Sequence, residues 1–248
     1  MTDLTNKAAL VTGASSGIGA ALATALSRAG ARVTLTARRL NLLRHVADSC
    51  TGETQIIAAD LADIHARTSI VEKTTSRWGR LDILVNSAGL GSYGNFLDST
   101  EAEWRRLFDI NLFAPVFLTQ SVLPIMQRQG SGTIINIASI GGLISHSDRV
   151  TAYVASKHAL VGFSRGLAKD LAGTPIRVLA VCPHLTDTGF FSAFSGFEEM
   201  AATVKKYKSF MDSPEDVARG VMDQLDSEHL VIFPTDKPAR AYRKQKDI

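Results

Sequence analysis

The chain has 248 residues, of which 45% are apolar, 21% charged and 7% aromatic, and its net charge is +3. This balance excludes an intrinsically disordered chain, and the mild charge gives no reason to expect a nucleic-acid partner. Two cysteines are too few for a disulfide framework or a four-thiolate zinc site, and we expect no metal.

No apolar run approaches the roughly 20 residues that cross a bilayer, so we expect no membrane contact. A secretory signal has a basic segment followed by an apolar one, and the first five residues do not show this pattern. The sequence therefore predicts a cytoplasmic protein.

Seven short apolar runs alternate with longer segments of helical period. The predicted strands, in chain order, are Ala8–Val11, Arg32–Thr36, Gln55–Ala59, Leu81–Val85, Thr133–Ala138, Ile176–Val181 and Leu230–Phe233. Several runs are apolar at successive positions, as in parallel strands that are covered on both faces. Alternation with about six helices predicts an α/β fold: a single-domain Rossmann fold over residues 1–248, with a doubly wound parallel sheet of about seven strands and helices on both faces.

Local signals mark the ends of three predicted helices. Ala20–Ala29 precedes Gly30, a plausible C′ glycine, Thr100–Glu103 has capping-box spacing, and Ser213–Pro214 offers an N-cap followed by proline. The region 183–212 has no clean period and is predicted to be irregular. The last dozen residues are basic, and we expect a solvated tail.

A glycine-rich turn, Thr12–Gly19, lies between the first strand and the first helix. Glycines let a pyrophosphate approach the backbone, and the following helix N-terminus attracts the anion. Although an ordinary tight turn is the alternative, the G-x-x-x-G-x-G spacing at a first βα junction predicts dinucleotide binding. The expected cofactor contacts in this turn are Gly13, Ser15, Ser16, Gly17, Ile18 and Gly19.

The residues after the second and third strands favour NADP(H) over NAD(H). Arg38 and Arg39 stand where an acidic side chain would bind the ribose diol of NAD, and two guanidiniums suit a 2′-phosphate. If both arginines are merely solvated, NAD(H) stays possible. Asp60 and its neighbour Leu61 are expected at the adenine, where Asp60 accepts from the amino group, caps the next helix, or does both.

Tyr153 and Lys157 are one helical turn apart, so a phenol and an ammonium share one helix face. A neighbouring cation favours phenolate and would lower a tyrosine pKa from about 10 toward the range of a general acid/base. Tyr242 and Lys246 have the same spacing but lie beyond the last strand. Since Tyr153 follows the fifth strand, at the edge where α/β sheets bind ligands, it is the candidate.

Other polar residues are predicted at the same edge of the sheet. Ser139 follows the fifth strand and could donate to a substrate oxygen that gains charge. Asn86 ends the fourth strand, and Asn111 follows one helix later. Each alone could simply satisfy nearby backbone, but their convergence at several strand ends favours a site.

In order and approximate spacing these residues resemble the classical short-chain dehydrogenase/reductase family over nearly the whole chain. The matching pieces are Thr12–Gly19, Asp60, Asn86–Gly89, Asn111, Ser139, Tyr153 and Lys157. The resemblance implies that Tyr153 protonates a carbonyl oxygen, or deprotonates the alcohol in reverse. It also implies that Lys157 lowers the pKa of Tyr153 and holds the nicotinamide ribose.

The resemblance implies further roles for the remaining positions. Ser139 positions the substrate oxygen, and Asn111 supports a water that links Lys157 to a proton relay. Further cofactor contacts are implied at Asn86, Ala88, Gly89, Tyr153, Lys157, Pro183, Thr186 and Thr188. A homodimer or homotetramer is implied, formed through the helices that hold Asn111 and Tyr153.

Three positions depart from the family pattern. Ser16 stands where many NADP-preferring members carry a basic residue, and Ser87 replaces a second asparagine. In Pro183–Thr188 the family usually has Pro-Gly, with Val or Ile at the Thr186 position. Here His184 follows the proline and either narrows the site, contacts substrate or is a plain loop histidine.

The region 183–212 matches the family's substrate loop and holds Phe190, Phe191, Phe194 and Phe197. These rings either pack back onto the domain or line an apolar pocket that closes over a ligand. The expected substrate is thus an apolar ketone, aldehyde or secondary alcohol, turned over by an NADP(H)-dependent oxidoreductase; a catalytically silent NADP(H)-binding sensor or scaffold is the alternative. The expected substrate contacts are Ser139, Gly141, Tyr153, His184, Phe190 and Phe191.

Overall fold

Seven parallel strands form one sheet in the computed structural model, which describes residues 2–145, 147–191, 194 and 196–246. The strand order is β3-β2-β1-β4-β5-β6-β7. The strands are β1 (Ala8–Thr12), β2 (Arg32–Ala37), β3 (Thr54–Ala58), β4 (Ile83–Asn86), β5 (Gly132–Ile137), β6 (Ile176–Val181) and β7 (Val231–Ile232). The order reverses between β1 and β4, which is the point where open α/β sheets bind ligands.

Nine α-helices and three 3₁₀ turns accompany the sheet within the described residues. The helices are α1 (Gly17–Arg28), α2 (Leu40–Asp48), α3 (Ile64–Trp78), α4 (Glu101–Phe108), α5 (Ala114–Gln129), α6 (Thr151–Asp170), α7 (Phe197–Tyr207), α8 (Pro214–Met222) and α9 (Asp236–Lys246). A π-helical turn, Asp109–Phe113, joins α4 to α5. The short 3₁₀ turns are Phe96–Asp98, Ile140–Gly142 and Lys208–Phe210.

Successive apolar residues of β1 pack on opposite faces of the sheet, as the sequence predicts. Ala9 and Val11 pack in the apolar cluster that includes side chains of α1 and α8, whereas Leu10 packs in the one that includes α3 and α5. All three are fully buried. The predicted Rossmann-like α/β fold is confirmed.

The predicted helix signals at Thr100 and Ser213 are confirmed. Thr100 and Glu103 form a capping box, and the Ser213 hydroxyl accepts from the amide of Asp216 at 3.0 Å. Gly30 follows α1 with a φ of 100°, a left-handed value that glycine adopts without strain. The first helix extends N-terminally of Ala20 and begins at Gly17, directly after the glycine-rich turn's Ser16.

Two segments are more ordered than predicted. The region 183–212 contains α7, with Glu198 and Glu199 in its first turn and Lys205 and Lys206 in its last, charges that complement the helix dipole. The prediction of an irregular segment is wrong for these residues.

The basic C-terminus forms the helix α9, an order that the prediction of a tail did not include, whereas its basic side chains Lys237, Arg240, Arg243 and Lys244 are exposed, as expected of a solvated segment. The Tyr242 ring lies 5.6 Å from the Phe233 ring. The Nζ atom of Lys237 lies 2.7 Å from the buried carboxylate of Asp212. These two contacts attach the helix to the domain.

The continuous helix Glu101–Gln129 is, in the part of the chain that the structure describes, the one segment long and apolar enough by length and composition to cross a membrane. Its Leu118, Val122 and Met126 side chains are fully buried in the core under the sheet. A core helix passes the same test of length and composition, and these contacts are those of a core helix.

Candidate active site

The glycine-rich turn between β1 and α1 has a backbone that only glycine fits well. Gly13 and Gly17 have φ values of 64° and 57°, in the left-handed region. A Cβ atom on Gly19 would lie 2.5 Å from the carbonyl oxygen of Gly13, and one on Gly17 would lie 2.9 Å from the Thr188 side chain. The turn therefore closes tightly and brings Thr188 beside the start of α1.

The N-terminus of α1 is open to an anion. No acidic residue lies in its first turn, and the Ser16 hydroxyl does not cap it. Instead, the Arg39 guanidinium donates to the hydroxyls of Ser15 at 3.0 Å and of Ser16 at 2.9 Å. Thus the positive charge of Arg39 lies against the glycine-rich turn at Ser16, the serine that departs from the family pattern, and a dinucleotide phosphate fits this donor set.

A cleft of about 1030 Å³ runs from this turn along the carboxyl edge of the sheet. All but two of the predicted site residues line it. The predicted residues that line the cleft are Gly13, Ser15, Ser16, Gly17, Ile18, Gly19, Arg38, Arg39, Asp60, Leu61, Ala88, Gly89, Ser139, Gly141, Tyr153, Lys157, Pro183, His184, Thr186, Thr188, Phe190 and Phe191.

Asn86 and Asn111 lie behind the wall of the cleft. The side-chain amide of Asn86 donates to the Asn136 side chain at 2.8 Å and is buried. Asn111, which is fully buried, pairs its side-chain amide with the backbone of Leu90. Both side chains therefore support the wall rather than form its surface.

Asp60 lies on the cleft but does not cap a helix. Its carboxylate accepts from the amide of Ala62 at 3.0 Å, whereas Asp63 caps α3 by accepting from the amide of His65 at 2.9 Å. The predicted capping alternative for Asp60 is therefore wrong, because α3 begins at Ile64, three residues after the position where a cap at Asp60 would start it.

Ser139 and Tyr153 meet at the other end of the cleft. The Ser139 oxygen accepts from the amide of Gly141 at 3.0 Å, which leaves its hydroxyl hydrogen available to donate. Burial raises the pKa of Tyr153 to about 12, an effect that a hydrogen bond with Ser139 partly offsets. The phenol is therefore held in its protonated form near neutral pH.

Lys157 is buried behind Tyr153. Its Nζ atom donates to the carbonyl oxygen of Ile137 at 2.8 Å and lies 5.9 Å from the centre of the Tyr153 ring. Burial lowers the pKa of Lys157 to about 8. Desolvation is the largest influence on the pKa of Tyr153 in the structure described here, and the lowering of that pKa by Lys157 stays a prediction.

Three phenylalanine rings of the region 183–212 pack on Tyr153 and on one another. Phe190 and Phe194 lie 6.0 and 5.9 Å from the tyrosine ring, and Phe191 lies 5.5 Å from Phe194. Any side chain on Gly91 would overlap the Phe194 ring. The rings both pack onto the domain and line the cleft, so the two predicted arrangements coexist; the side chain of Phe197 lies outside the described residues.

His184 and Tyr242 are placed differently. His184 is half-buried on the cleft wall, and its carbonyl accepts from the Thr186 hydroxyl at 3.2 Å. Tyr242 lies in α9, packs against Phe233 and does not line the cleft. Of the two Tyr-x-x-x-Lys sequences, only that of Tyr153 is therefore on the cleft, as its position after the fifth strand predicts.

Comparison with known proteins settles the family. The sequence model of a family described as short chain dehydrogenase matches residues 7–198. The chain belongs to this family. This short-chain dehydrogenase is 40% identical over 192 residues to an uncharacterized oxidoreductase of Staphylococcus saprophyticus. The aligned residues cover 76% of this chain and 82% of that protein. The predicted resemblance is confirmed, and the protein is an oxidoreductase of this family.

Solved structures agree with this assignment. A short-chain dehydrogenase from Streptomyces avermitilis superposes with a TM-score of 0.86 at 33% identity, covering 97% of this chain and 92% of that one. A short chain dehydrogenase/reductase from Burkholderia phymatum, solved in complex with NAD, superposes with a TM-score of 0.89 over 100% and 95% of the two chains. At 23% identity the latter supports the fold alone.

Sequence reasoning missed Gly91 and Ser156. Gly91 makes room for the Phe194 ring, and nothing in its local sequence indicates that distant contact. Ser156 accepts from Asn111 at 2.9 Å. The position of Ser156, directly before Lys157 in the Tyr-x-x-Ser-Lys sequence, was a usable signal.

Proposed function

We propose that the protein is an NADP(H)-dependent oxidoreductase that interconverts an apolar ketone or aldehyde and the corresponding alcohol. One observation carries the proposal: one cleft extends from the glycine-rich turn, with Arg38 and Arg39, to the pair Ser139 and Tyr153. The family match supports the reaction class, and the aromatic cluster on Tyr153 supports an apolar substrate.

Each residue has a defined part in this reaction. When bound, the nicotinamide supplies or accepts the hydride. Ser139 donates a hydrogen bond to the substrate oxygen, which gains charge in the transition state of reduction. Tyr153 gives its phenolic proton to that oxygen, and Lys157 holds the nicotinamide ribose and favours the phenolate that results. Asn111 supports the wall beside Lys157 and, as the family implies, the water of the proton relay.

The decisive experiment is a screen of ketones, aldehydes and alcohols with purified protein, following NADPH absorbance. We expect turnover of apolar carbonyl compounds. Tight NADP(H) binding by calorimetry without turnover would instead indicate a silent binding protein, and the absence of both binding and turnover would remove the proposal.

Arg38→Asp is expected to shift cofactor preference toward NAD(H). The change removes a partner of the 2′-phosphate and adds an acceptor for the ribose diol, so the ratio of kcat/KM for NADPH to that for NADH should fall at least tenfold. Arg44→Asp is a matched control, because Arg44 is exposed on the adjacent α2 and does not line the cleft. An equal ratio in wild type and Arg38→Asp would refute the assignment of Arg38.

We further propose a cytoplasmic homodimer or homotetramer that acts on a small molecule. Phe113 at the end of the π turn and Phe117 on α5 are 42% and 44% exposed, and their rings stack at 6.3 Å. An exposed aromatic pair beside the turn of Asn111 supports an interface between subunits there. Light scattering of the purified protein would give the subunit number, and a monomer would contradict this proposal.

A further inference from the structure

Ser156 is a fully buried hydroxyl that links two helices. Its oxygen accepts a hydrogen bond from the Asn111 side chain at 2.9 Å. Its hydrogen is donated to the backbone carbonyl of Tyr153 at 2.7 Å. Because Ser156 does not line the cleft, it does not touch a ligand there. It joins the π turn of Asn111 to the turn of α6 that holds Tyr153 and Lys157.

Asn111 extends this link to a third segment. Its side-chain oxygen accepts from the Leu90 amide at 2.8 Å, and its nitrogen donates to the Leu90 carbonyl at 2.9 Å. Leu90 lies on the cleft wall, directly after Gly89. With Ser156 as the second acceptor, both N–H groups of the Asn111 amide are satisfied, as a fully buried amide requires.

Asn111 lies within the π turn, so its side-chain junction is made where the helix departs from α geometry. Ala114 donates to the carbonyl of Asp109 across the turn, a wider ring than that of an α-helix. A Cβ atom placed on Gly89 would lie 3.4 Å from the Asn111 side-chain oxygen and 3.7 Å from the Lys157 Nζ atom. A shift of Asn111 would therefore move the wall beside the lysine.

We propose that Ser156 is a positioning residue for the reaction: it fixes the π turn and the Leu90 segment relative to Tyr153 and Lys157. The catalytic consequence rests on the proposed function, whereas the link itself does not. Without the hydroxyl, one N–H of Asn111 is left buried with no acceptor, and the turn shifts to reach another partner. A displacement near 1 Å at catalytic groups lowers rates by up to about 100-fold.

Ser164 provides a matched control on the same helix. It is also fully buried, accepts from the Asn136 side chain at 2.9 Å and donates to the carbonyl of Leu160 at 2.7 Å. Ser156→Ala and Ser164→Ala thus remove the same atoms from the same kind of junction. A role limited to folding would affect both alike, whereas a positioning role would be confined to Ser156.

The test compares both variants in two measurements. We expect Ser156→Ala to lower kcat about 10- to 100-fold and to move the low-pH limb of the pH–rate profile for alcohol oxidation to higher pH by about half a pH unit or more. Ser164→Ala, whose junction leads through Asn136 to Asn86 and not to Lys157, should keep the wild-type pH profile. Hydrogen exchange should be faster at the Leu90 amide in Ser156→Ala but not in Ser164→Ala. Ser156→Thr, which keeps the hydroxyl, should restore at least part of both properties.

If the wild-type protein turns over a substrate, equal pH–rate profiles for Ser156→Ala and Ser164→Ala would overturn the proposal. Equal hydrogen-exchange rates of the Leu90 amide in the two variants would also overturn it. The exchange measurement needs no substrate, so it separates this proposal from the proposed function. If wild type shows no turnover, the proposed function fails, and faster exchange confined to Ser156→Ala still supports the link. Should Ser156→Ala fail to fold, exchange and kinetics of Ser156→Thr and Ser156→Cys decide: graded loss with weaker hydrogen bonding supports the link, and wild-type behaviour of both contradicts it.

Discussion

Tyr153→Phe is expected to lower kcat for carbonyl reduction about 10²- to 10⁴-fold, the usual contribution of a general acid. The substitution removes only the phenolic oxygen and keeps the ring that packs on Phe190 and Phe194. Cofactor affinity and thermal stability should therefore stay close to wild type. Steady-state kinetics with the best carbonyl substrate, together with NADPH titration by fluorescence, would measure the change.

Tyr242→Phe is the natural control for this substitution. Tyr242 stands in the second Tyr-x-x-x-Lys sequence of the chain and packs on Phe233 away from the cleft. We expect wild-type kinetics for it. Full activity of Tyr153→Phe would remove the tyrosine from the mechanism, whatever the behaviour of Tyr242→Phe.

Lys157→Met is expected to reduce activity by orders of magnitude while making the folded protein more stable at pH 7. The methionine stem fills similar space without a charge. Activity falls because the ammonium no longer holds the cofactor ribose or favours the phenolate, so the low-pH limb of alcohol oxidation moves to higher pH. The pH dependence of kcat, measured against Lys169→Met on the exposed end of α6, would test this.

The gain in stability follows from the downward shift of the Lys157 pKa on folding. Burial lowers the pKa of Lys157 from 10.5 to about 8 in the folded state. Between these two values the unfolded chain binds more protons than the folded protein, so the free energy of unfolding rises with pH through this window. Below about pH 8 the buried charge opposes folding. In Lys157→Met this contribution to the rise should disappear. Urea unfolding at pH 7 and pH 10 measures it as the difference between the two free energies of unfolding. The same difference in the variant as in wild type would contradict the burial of a charged lysine.

The placement of most candidate residues on one cleft was predictable because the signals are local. The glycine spacing of Thr12–Gly19 and the position of Tyr153 after the fifth strand are readable without a structure, since parallel strands end at one edge. The helix α7 was missed because the whole region 183–212 was treated as one segment without a period, although acidic residues begin the helix and lysines end it. The helix α9 was missed because a basic composition is typical of solvated tails, and its attachment depends on Phe233 and Asp212.

The succession of strands and crossovers along the chain, the family and the candidate groups at the carboxyl edge of the sheet were therefore predictable from residue patterns alone. These follow from burial periodicity and from glycines whose backbone angles exclude other residues. The electrostatics of the site and the hydrogen bonds that support it depend instead on contacts between segments that are distant along the chain. Arg39 reaches serines 23 and 24 positions earlier, Ser156 accepts from an asparagine 45 positions earlier, and desolvation sets the pKa of Tyr153. Such properties depend on which distant segments exclude water from a group, and no local pattern specifies that.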